Sequence, residues 1–253
     1  MVTSIFDIKE YKNKSESLGT DRVGYRSEHF IAVLTSDRIK LAEYKKFEGL
    51  LFEIQIRTIL EHSWAEIEHD RNYKFSGILP PEIKRKFSLL SASLELADNE
   101  FNNISQLIDA LKEEISNKTK AGNIDIPIDS ISLRQYLTYK FGYLDKVEAS
   151  FGVTKDLSGD LINELKVMGI KTLKDLEAII PSDYIDKYIE ADFDTNFAGL
   201  IRDFLIINYK ELYFEKAWNG SWIGIEESSV DMLQKFDIDT DFLIEEYGLK
   251  KWN

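Results

Sequence analysis

The sequence predicts an α+β protein, a mixed β-sheet portion followed by a mainly α-helical acidic region. Three observations carry this reading. His29-Phe-Ile-Ala-Val-Leu34 is a short apolar run of strand length. Phe52, Ile54 and Ile56 alternate with Glu53, Gln55 and Arg57, which is the period of a strand with one wet face. From Thr58 onward the apolar residues recur at helical spacing. At 253 residues the chain is long enough for two domains. A hydrophobic content of 43% with 12% aromatic residues and 4 Pro excludes wholesale disorder. The absence of Cys excludes disulfides, thiolate zinc sites and cysteine nucleophiles. No run reaches the ~18 apolar residues of a membrane span, and Met1 to Glu10 lacks the features of a signal peptide, so a soluble cytoplasmic protein without a membrane partner is expected.

The first predicted strand is entered through Gly24-Tyr25 and should be central, covered on both faces. Ser36-Asp37 reads as an N-cap, with Ile39, Leu41, Tyr44 and Phe47 at roughly helical spacing up to Gly49. The alternating strand, residues 51–57, presents hydrocarbon on one face and carboxylate, amide and guanidinium on the other. In the helix that follows, Leu60, Trp64 and Ile67 share one side, while His62, Glu66, His69 and Tyr73 share the other. Gly77 and Pro80-Pro81 end it, and Glu82 to Asn117 predicts a long helix with a stripe of Phe87, Leu90, Leu94, Ala97 and Phe101, packed on its predecessor.

Beyond Lys118 turn signals multiply, which divides the chain into residues 1–118 (strands to about 58, helices 59–118) and an acidic, mainly helical accessory domain, 119–253. Leu161–Leu165 and Leu173–Leu176 around Gly169 resemble a helix-hairpin-helix module. The acidic surroundings favour a packing or partner-binding hairpin over a nucleic-acid grip. Phe197 to Trp218 predicts a further aromatic-rich helix, and Tyr209, Tyr213, Phe214, Trp218 and Trp222 read as core rather than interface.

The formal charge of −13 would by itself count against a polyanionic ligand. It is unevenly spread: residues 1–74 hold 12 Lys and Arg against 13 Asp and Glu, and the remainder holds 20 against 32. All 3 histidines, His29, His62 and His69, lie in the near-neutral part, where the chemistry is expected. Glu53, Gln55 and Arg57 on one strand face must meet water, one another or a ligand, because buried polar groups left unpaired cost about 1–3 kcal/mol each. A carboxylate and an arginine two residues apart also suit a magnesium ion beside a polyphosphate. The His62, Glu66, His69 row could place three metal ligands on one helix face, but it is not the His-Glu-x-x-His zinc motif.

Asp21-Arg-Val-Gly-Tyr-Arg-Ser-Glu-His29, Phe52-Glu-Ile-Gln-Ile-Arg-Thr58 and His62-Ser-Trp-Ala-Glu-Ile-Glu-His-Asp-Arg-Asn-Tyr-Lys74 follow one another within about fifty residues. Together they resemble the RelA/SpoT family of guanosine tetra- and pentaphosphate synthetases. The resemblance implies a nucleotidyltransferase-like domain that transfers pyrophosphate from ATP to the 3′-hydroxyl of GDP or GTP with Mg²⁺. It implies that Tyr25 stacks on guanine, with Ser27 and His29 beside it, and that Glu53 orients Mg²⁺ or draws the acceptor proton. Gln55 and Arg57 would support that face, and Lys14, Arg22 and Arg26 would contact phosphates. His62, Glu66, His69, Tyr73 and Lys74 would frame the cleft.

The resemblance covers roughly residues 5–118. Members of the family carry a second metal carboxylate and a basic ATP-binding set well ahead of the Gly-Tyr-Arg-Ser element, whereas Met1 to Gly24 contains no comparable strand. The expectation is therefore the C-terminal part of a synthetase domain, truncated at its N-terminal side and of reduced activity or none by itself. Alternatives are a toxin-type member that pyrophosphorylates the 3′ end of transfer RNA, and a non-catalytic guanosine-nucleotide sensor or neutralising partner. The acidic region would then serve a protein partner or self-association.

Overall fold

The computed structural model describes residues 5–19, 21–74, 79–144, 147–148, 157–191, 194–218, 220 and 222–252. It divides into two compact units, residues 1–107 and 108–253. The α+β class expected from the sequence is what the chain adopts.

The first unit is built on a three-stranded antiparallel sheet of β1 (Phe6–Asn13), β2 (Glu28–Leu34) and β3 (Phe52–Ile56), in that order. The apolar run is the central strand, as expected. Its Phe30 and Ala32 are buried while His29, Ile31 and Val33 are half-buried, so one face is covered more fully than the other. On the covered face Phe6 meets Phe52 edge-on and Tyr11 meets Phe30. β1 was not anticipated. Its alternation is broken by a register shift between Ile8 and Glu10, a bulge that puts Tyr11 on the face that Phe6 and Ile8 began. A short helix, α1 (Lys14–Leu18), follows it.

The helix expected from Ser36 to Gly49 is much shorter. α2 (Ser36–Ile39) starts after Thr35, which makes no side-chain cap, and the chain continues through turns and a 3₁₀ segment, Lys45–Phe47. Leu41 and Phe47 stay exposed, so the apolar spacing there had no packing surface to convert it into a longer helix. α3 (Ile59–Lys74) and α4 (Pro81–Lys120) follow. Thr58 and Glu61 form a reciprocal cap at the start of α3: the Glu61 N–H donates to Thr58 Oγ1 at 3.1 Å, and the Thr58 N–H to Glu61 Oε2 at 2.9 Å. Trp64 and Ala65 are the buried line of α3, whereas Ile67 is exposed. The expected packing of the helices is present: Trp64 Nε1–H donates to the Phe87 carbonyl at 3.0 Å and its ring meets Phe87 edge-on. The α4 stripe is narrower than the spacing suggested, with Phe87, Leu94 and Ala97 half-buried and Leu90 and Phe101 exposed.

The second unit has an extensive hydrophobic core. α5 (Ser130–Phe141), α6 (Leu157–Val167), α7 (Leu173–Ala178), α8 (Tyr184–Ala191), α9 (Phe197–Leu212), α10 (Glu227–Gln234) and α11 (Thr240–Tyr247) surround residues such as Tyr136, Leu165, Phe204 and Leu243. Two short parallel pairs, β4 (Val147–Glu148) with β5 (Thr195–Asn196) and β6 (Gly224–Glu226) with β7 (Lys250–Trp252), complete it. Ile115 and Thr119, near the end of α4, are buried in this unit, which begins before the boundary expected at 118/119.

The predicted hairpin around Gly169 is a packing element. Its Leu161, Leu165, Ile170, Leu173 and Leu176 are buried, and Gly169 takes φ of 80°, which favours glycine. The loop donors are spent within the hairpin: the Lys171 and Thr172 N–H groups both donate to Asp175 Oδ2, at 3.0 and 2.9 Å. α9 kinks at Tyr209 and runs into a π-helical turn, Tyr213–Ala217, and of the aromatic set Tyr213 and Phe214 are fully in the core while Tyr209 is exposed. Among the described residues, no helix is long and apolar enough to cross a membrane.

Candidate functional site

The polar face of the sheet carries the candidate site. Antiparallel register sets His29 opposite both Lys12 on β1 and Gln55 on β3, and Ile31 opposite Glu10 and Glu53. Side chains of one parity therefore share a face: Glu10 and Lys12, His29, then Glu53 and Gln55. Arg57 continues that parity just past the end of β3.

Five of the residues predicted from sequence close into a circuit on this face. The Tyr25 hydroxyl lies 3.2 Å from His29 Nε2, and His29 Nδ1 lies 2.7 Å from Glu53 Oε1. Gln55 Nε2–H donates to Glu53 Oε2 at 2.8 Å, and Arg57 Nη2–H donates to Gln55 Oε1 at 2.7 Å. The Arg57 guanidinium then lies 5.6 Å from the centre of the Tyr25 ring, within cation–π range, and returns the chain of contacts to its start.

Proton positions follow from the chemistry. Hydrogen bonds from Gln55 first and His29 second hold the Glu53 carboxyl below the usual carboxylate range, with smaller help from the His29 and Lys14 charges. An ionised carboxylate only accepts, so the His29 Nδ1–H donates to Glu53, with the Tyr25 hydroxyl at the opposite ring nitrogen. Glu53 is thus an anchored anion, and a weak base. Each of its oxygens accepts one hydrogen bond and retains a lone pair, which suits a hard cation better than proton abstraction. Its carboxylate is 42% exposed while His29 is 14% exposed, so the acid stands open to a ligand and the imidazole behind it acts as a brace.

The other predicted residues lie elsewhere. Lys14 enters β2's neighbourhood through its backbone, donating to the Ser27 carbonyl at 3.0 Å, and its charge bears on Glu53. Arg22 is exposed, 3.9 Å from Asp21. Arg26 turns away from Tyr25 and is held between the helices, 2.9 Å from Glu95 on α4 and 3.4 Å from Glu61 on α3. Ser27 is buried with its hydroxyl directed at the Ile56 carbonyl at 3.4 Å. His62 and Glu66 lie 3.9 Å apart on the solvent side of α3, and His69 is exposed on the same helix. The Tyr73 and Lys74 side chains lie outside the described residues. Among the described residues no cluster of three His, Cys, Asp or Glu groups could hold a metal ion.

Sequence reasoning missed the residues that hold the Tyr25 loop. Ser91 on α4, itself buried, donates to the Gly24 carbonyl at 3.0 Å, and Thr58 Oγ1–H donates to Asp98 at 2.7 Å. The Thr58-x-x-Glu61 spacing is a legible capping box that fixes where α3 starts. Nothing local marks Ser91, because its partner is 67 residues away in sequence.

Comparison with known proteins finds similarity in the part of the chain that carries this face. Residues 1–78 match the model of a "Region found in RelA / SpoT proteins". GTP pyrophosphokinase YjbM of Bacillus subtilis (strain 168) is 32% identical over 97 residues, 38% of this chain and 44% of that protein. The crystal structure of small alarmone synthetase 1 from Bacillus subtilis is 28% identical over 42% of this chain and 51% of that one, with a TM-score of 0.34. Small alarmone synthetase 1 from Bacillus subtilis bound to its product pppGpp gives 30% identity over 40% and 48%, with a TM-score of 0.33. The chain spans about half the length of the relatives it matches.

Proposed function

We propose, for a chain whose residues 1–78 match the RelA/SpoT family model, that the polar sheet face is the guanosine side of a GTP pyrophosphokinase site. The observation that carries this reading is the closed circuit of Tyr25, His29, Glu53, Gln55 and Arg57. In the reaction, the 3′-oxygen of GDP or GTP bonds to the β-phosphorus of ATP, the bond from that phosphorus to the α-phosphate bridging oxygen breaks, AMP leaves, and the acceptor proton passes to solvent.

Each group has a role its environment suits. Tyr25, backed by the Arg57 cation, offers its ring to guanine, where stacking is worth about 1–3 kcal/mol. Glu53 fits Mg²⁺, which is commonly held by one or two carboxylates with substrate phosphates and water completing its shell. When bound, the ion would neutralise charge on the transferring phosphates and sharpen the acceptor oxygen as a nucleophile. His29 and Gln55 keep the Glu53 carboxylate ionised and aimed, and Lys14 adds positive potential on the same side.

The test is thin-layer chromatography of the whole chain with labelled ATP, Mg²⁺ and GTP, GDP or transfer RNA as acceptor. Slow product formation on the guanosine nucleotides is expected, at the reduced activity anticipated from the sequence, with Glu53→Gln lowering its rate at least about a hundredfold, in line with loss of a principal electrostatic group. Tyr25→Ala should raise the KM for the guanosine nucleotide about tenfold with a smaller change in kcat. Transfer to RNA alone, or nucleotide binding without turnover, would replace this reading. Wild-type rates in Glu53→Gln would remove Glu53 from the site.

A further inference from the structure

The second unit contains a cavity of about 320 Å³ lined by residues of α9, of the segment 222–226 and of α10. Its size is that of a small-molecule pocket at the lower end of the range. Arg202 and Asp203, adjacent on α9, both line it and are only 8% and 5% exposed. Charged side chains so deeply buried are costly unless paired, and a buried ion pair seldom stabilises a fold more than hydrocarbon of equal volume would. Their position on a cavity wall asks for another explanation.

The wall is preorganised. Arg202 donates from Nε and Nη2 to the two oxygens of buried Glu164, at 3.2 and 2.8 Å. Glu164 Oε2 also accepts from the Tyr213 hydroxyl at 2.8 Å, and that hydroxyl accepts from Trp222 Nε1–H at 3.1 Å. The Arg202 guanidinium lies 5.3 Å from the centre of the Trp222 ring. Tyr213 stands in the π-helical turn, a distortion that recurs at binding sites. Asp203 accepts from the buried Tyr184 hydroxyl at 2.7 Å through one oxygen, which leaves most of its acceptor capacity to the cavity.

The sign of the ligand follows from what remains. Glu164 matches the charge of Arg202, so Asp194 and Glu226, joined by Asp203 once it ionises above about pH 7, give the lining a negative balance. The N-terminus of α9 offers an anion little, since the Ala198 and Gly199 N–H groups already donate to Asn196 Oδ1 at 3.0 and 3.1 Å.

We propose that this cavity binds a small organic cation, an alkylammonium or guanidinium compound whose charge rests on Asp203 and whose carbon chain lies against Trp222. Asp194 and Glu226 supply further attraction at the same cavity. The site is independent of the nucleotide reading above.

Isothermal titration of the full chain with agmatine at low ionic strength and pH 8.5, where the Asp203 carboxylate is ionised, tests it, with glutarate as the anionic counterpart. Agmatine is expected to bind and glutarate not. Asp203→Asn keeps an acceptor for Tyr184 and should weaken agmatine binding at least about tenfold, a change of about 1.4 kcal/mol. Glu226 is exposed and its side chain makes no cap hydrogen bond to the helix it precedes, so Glu226→Gln should leave the fold intact and weaken binding several-fold. No heat at about 10 mM agmatine, wild-type affinity in both variants, or binding of glutarate in place of agmatine would overturn the proposal.

Discussion

Asp203 is a carboxylic acid for which burial outweighs the hydrogen bond from Tyr184, and its pKa is raised to about 7. The folded protein therefore holds a proton there that the unfolded chain has released above about pH 4. By linkage, this group's contribution to stability is full below the unfolded value, declines as pH rises, and is lost above about 7. Thermal melts should show the wild type losing more stability between pH 5 and pH 8 than Asp203→Asn does, by a few kcal/mol at most. Identical pH dependence in the two would mean that Asp203 ionises normally. Glu53 works with the opposite sign, since its lowered pKa favours the fold at high pH and that contribution is lost on acidification. Of the two, Glu53 alone was read from the sequence. Glu53 stood out because its strand alternates cleanly. The pair Arg202-Asp203 inside an apolar helix is an equally odd pattern, but its partners, Glu164 and Tyr184, are distant in sequence.

Among the elements, those with an uninterrupted period were legible: β2, β3, α3, α4 and the aromatic helix α9. Where the chain broke its own period the reading failed. The bulge in β1 moved Tyr11 by one position, which hid a strand that supplies Glu10 and Lys12 to the site face. The segment after β2 had helical spacing without anything to pack on. Arg26 shows the same limit for function, because its place in the Gly-Tyr-Arg-Ser element suggested phosphate contact, whereas Glu61 and Glu95 bind it at the junction of α3 and α4. Its side chain is only 13% exposed. Arg26→Met should accordingly lower the stability of the first unit by about 1–3 kcal/mol in urea unfolding, the range for leaving partly buried charged partners unmatched. Unchanged stability with weakened nucleotide affinity would return Arg26 to the phosphates.

At the scale of the whole molecule, apolar burial is unequal. Within the described residues the first unit buries Phe30, Ala32, Trp64, Ala65 and Leu79, while the second packs a continuous core from Leu133 to Leu249. Local opening should follow that difference. Hydrogen exchange is expected to be slowest in α5, α6 and the first half of α9, and faster in β1 to β3; the reverse order would contradict the burial. Addition of GTP should slow exchange around Tyr25 and His29 if they bind it, without altering α9. The charge of −13 reads differently once divided, because the near-neutral stretch up to Lys74 carries the candidate polyphosphate site and the acidic remainder carries a cavity suited to the opposite charge.

The placement of the indole rings has an optical consequence. Trp64 is buried against Phe87 in the first unit, while Trp218 and Trp222 belong to the second, each with its N–H donated to an oxygen within that unit. Fluorescence from the two units can therefore be separated by single Trp→Phe replacements. Trp222 lies beneath a guanidinium and beside the same cavity as Asp203, so its emission is a built-in gauge of the charge that enters there.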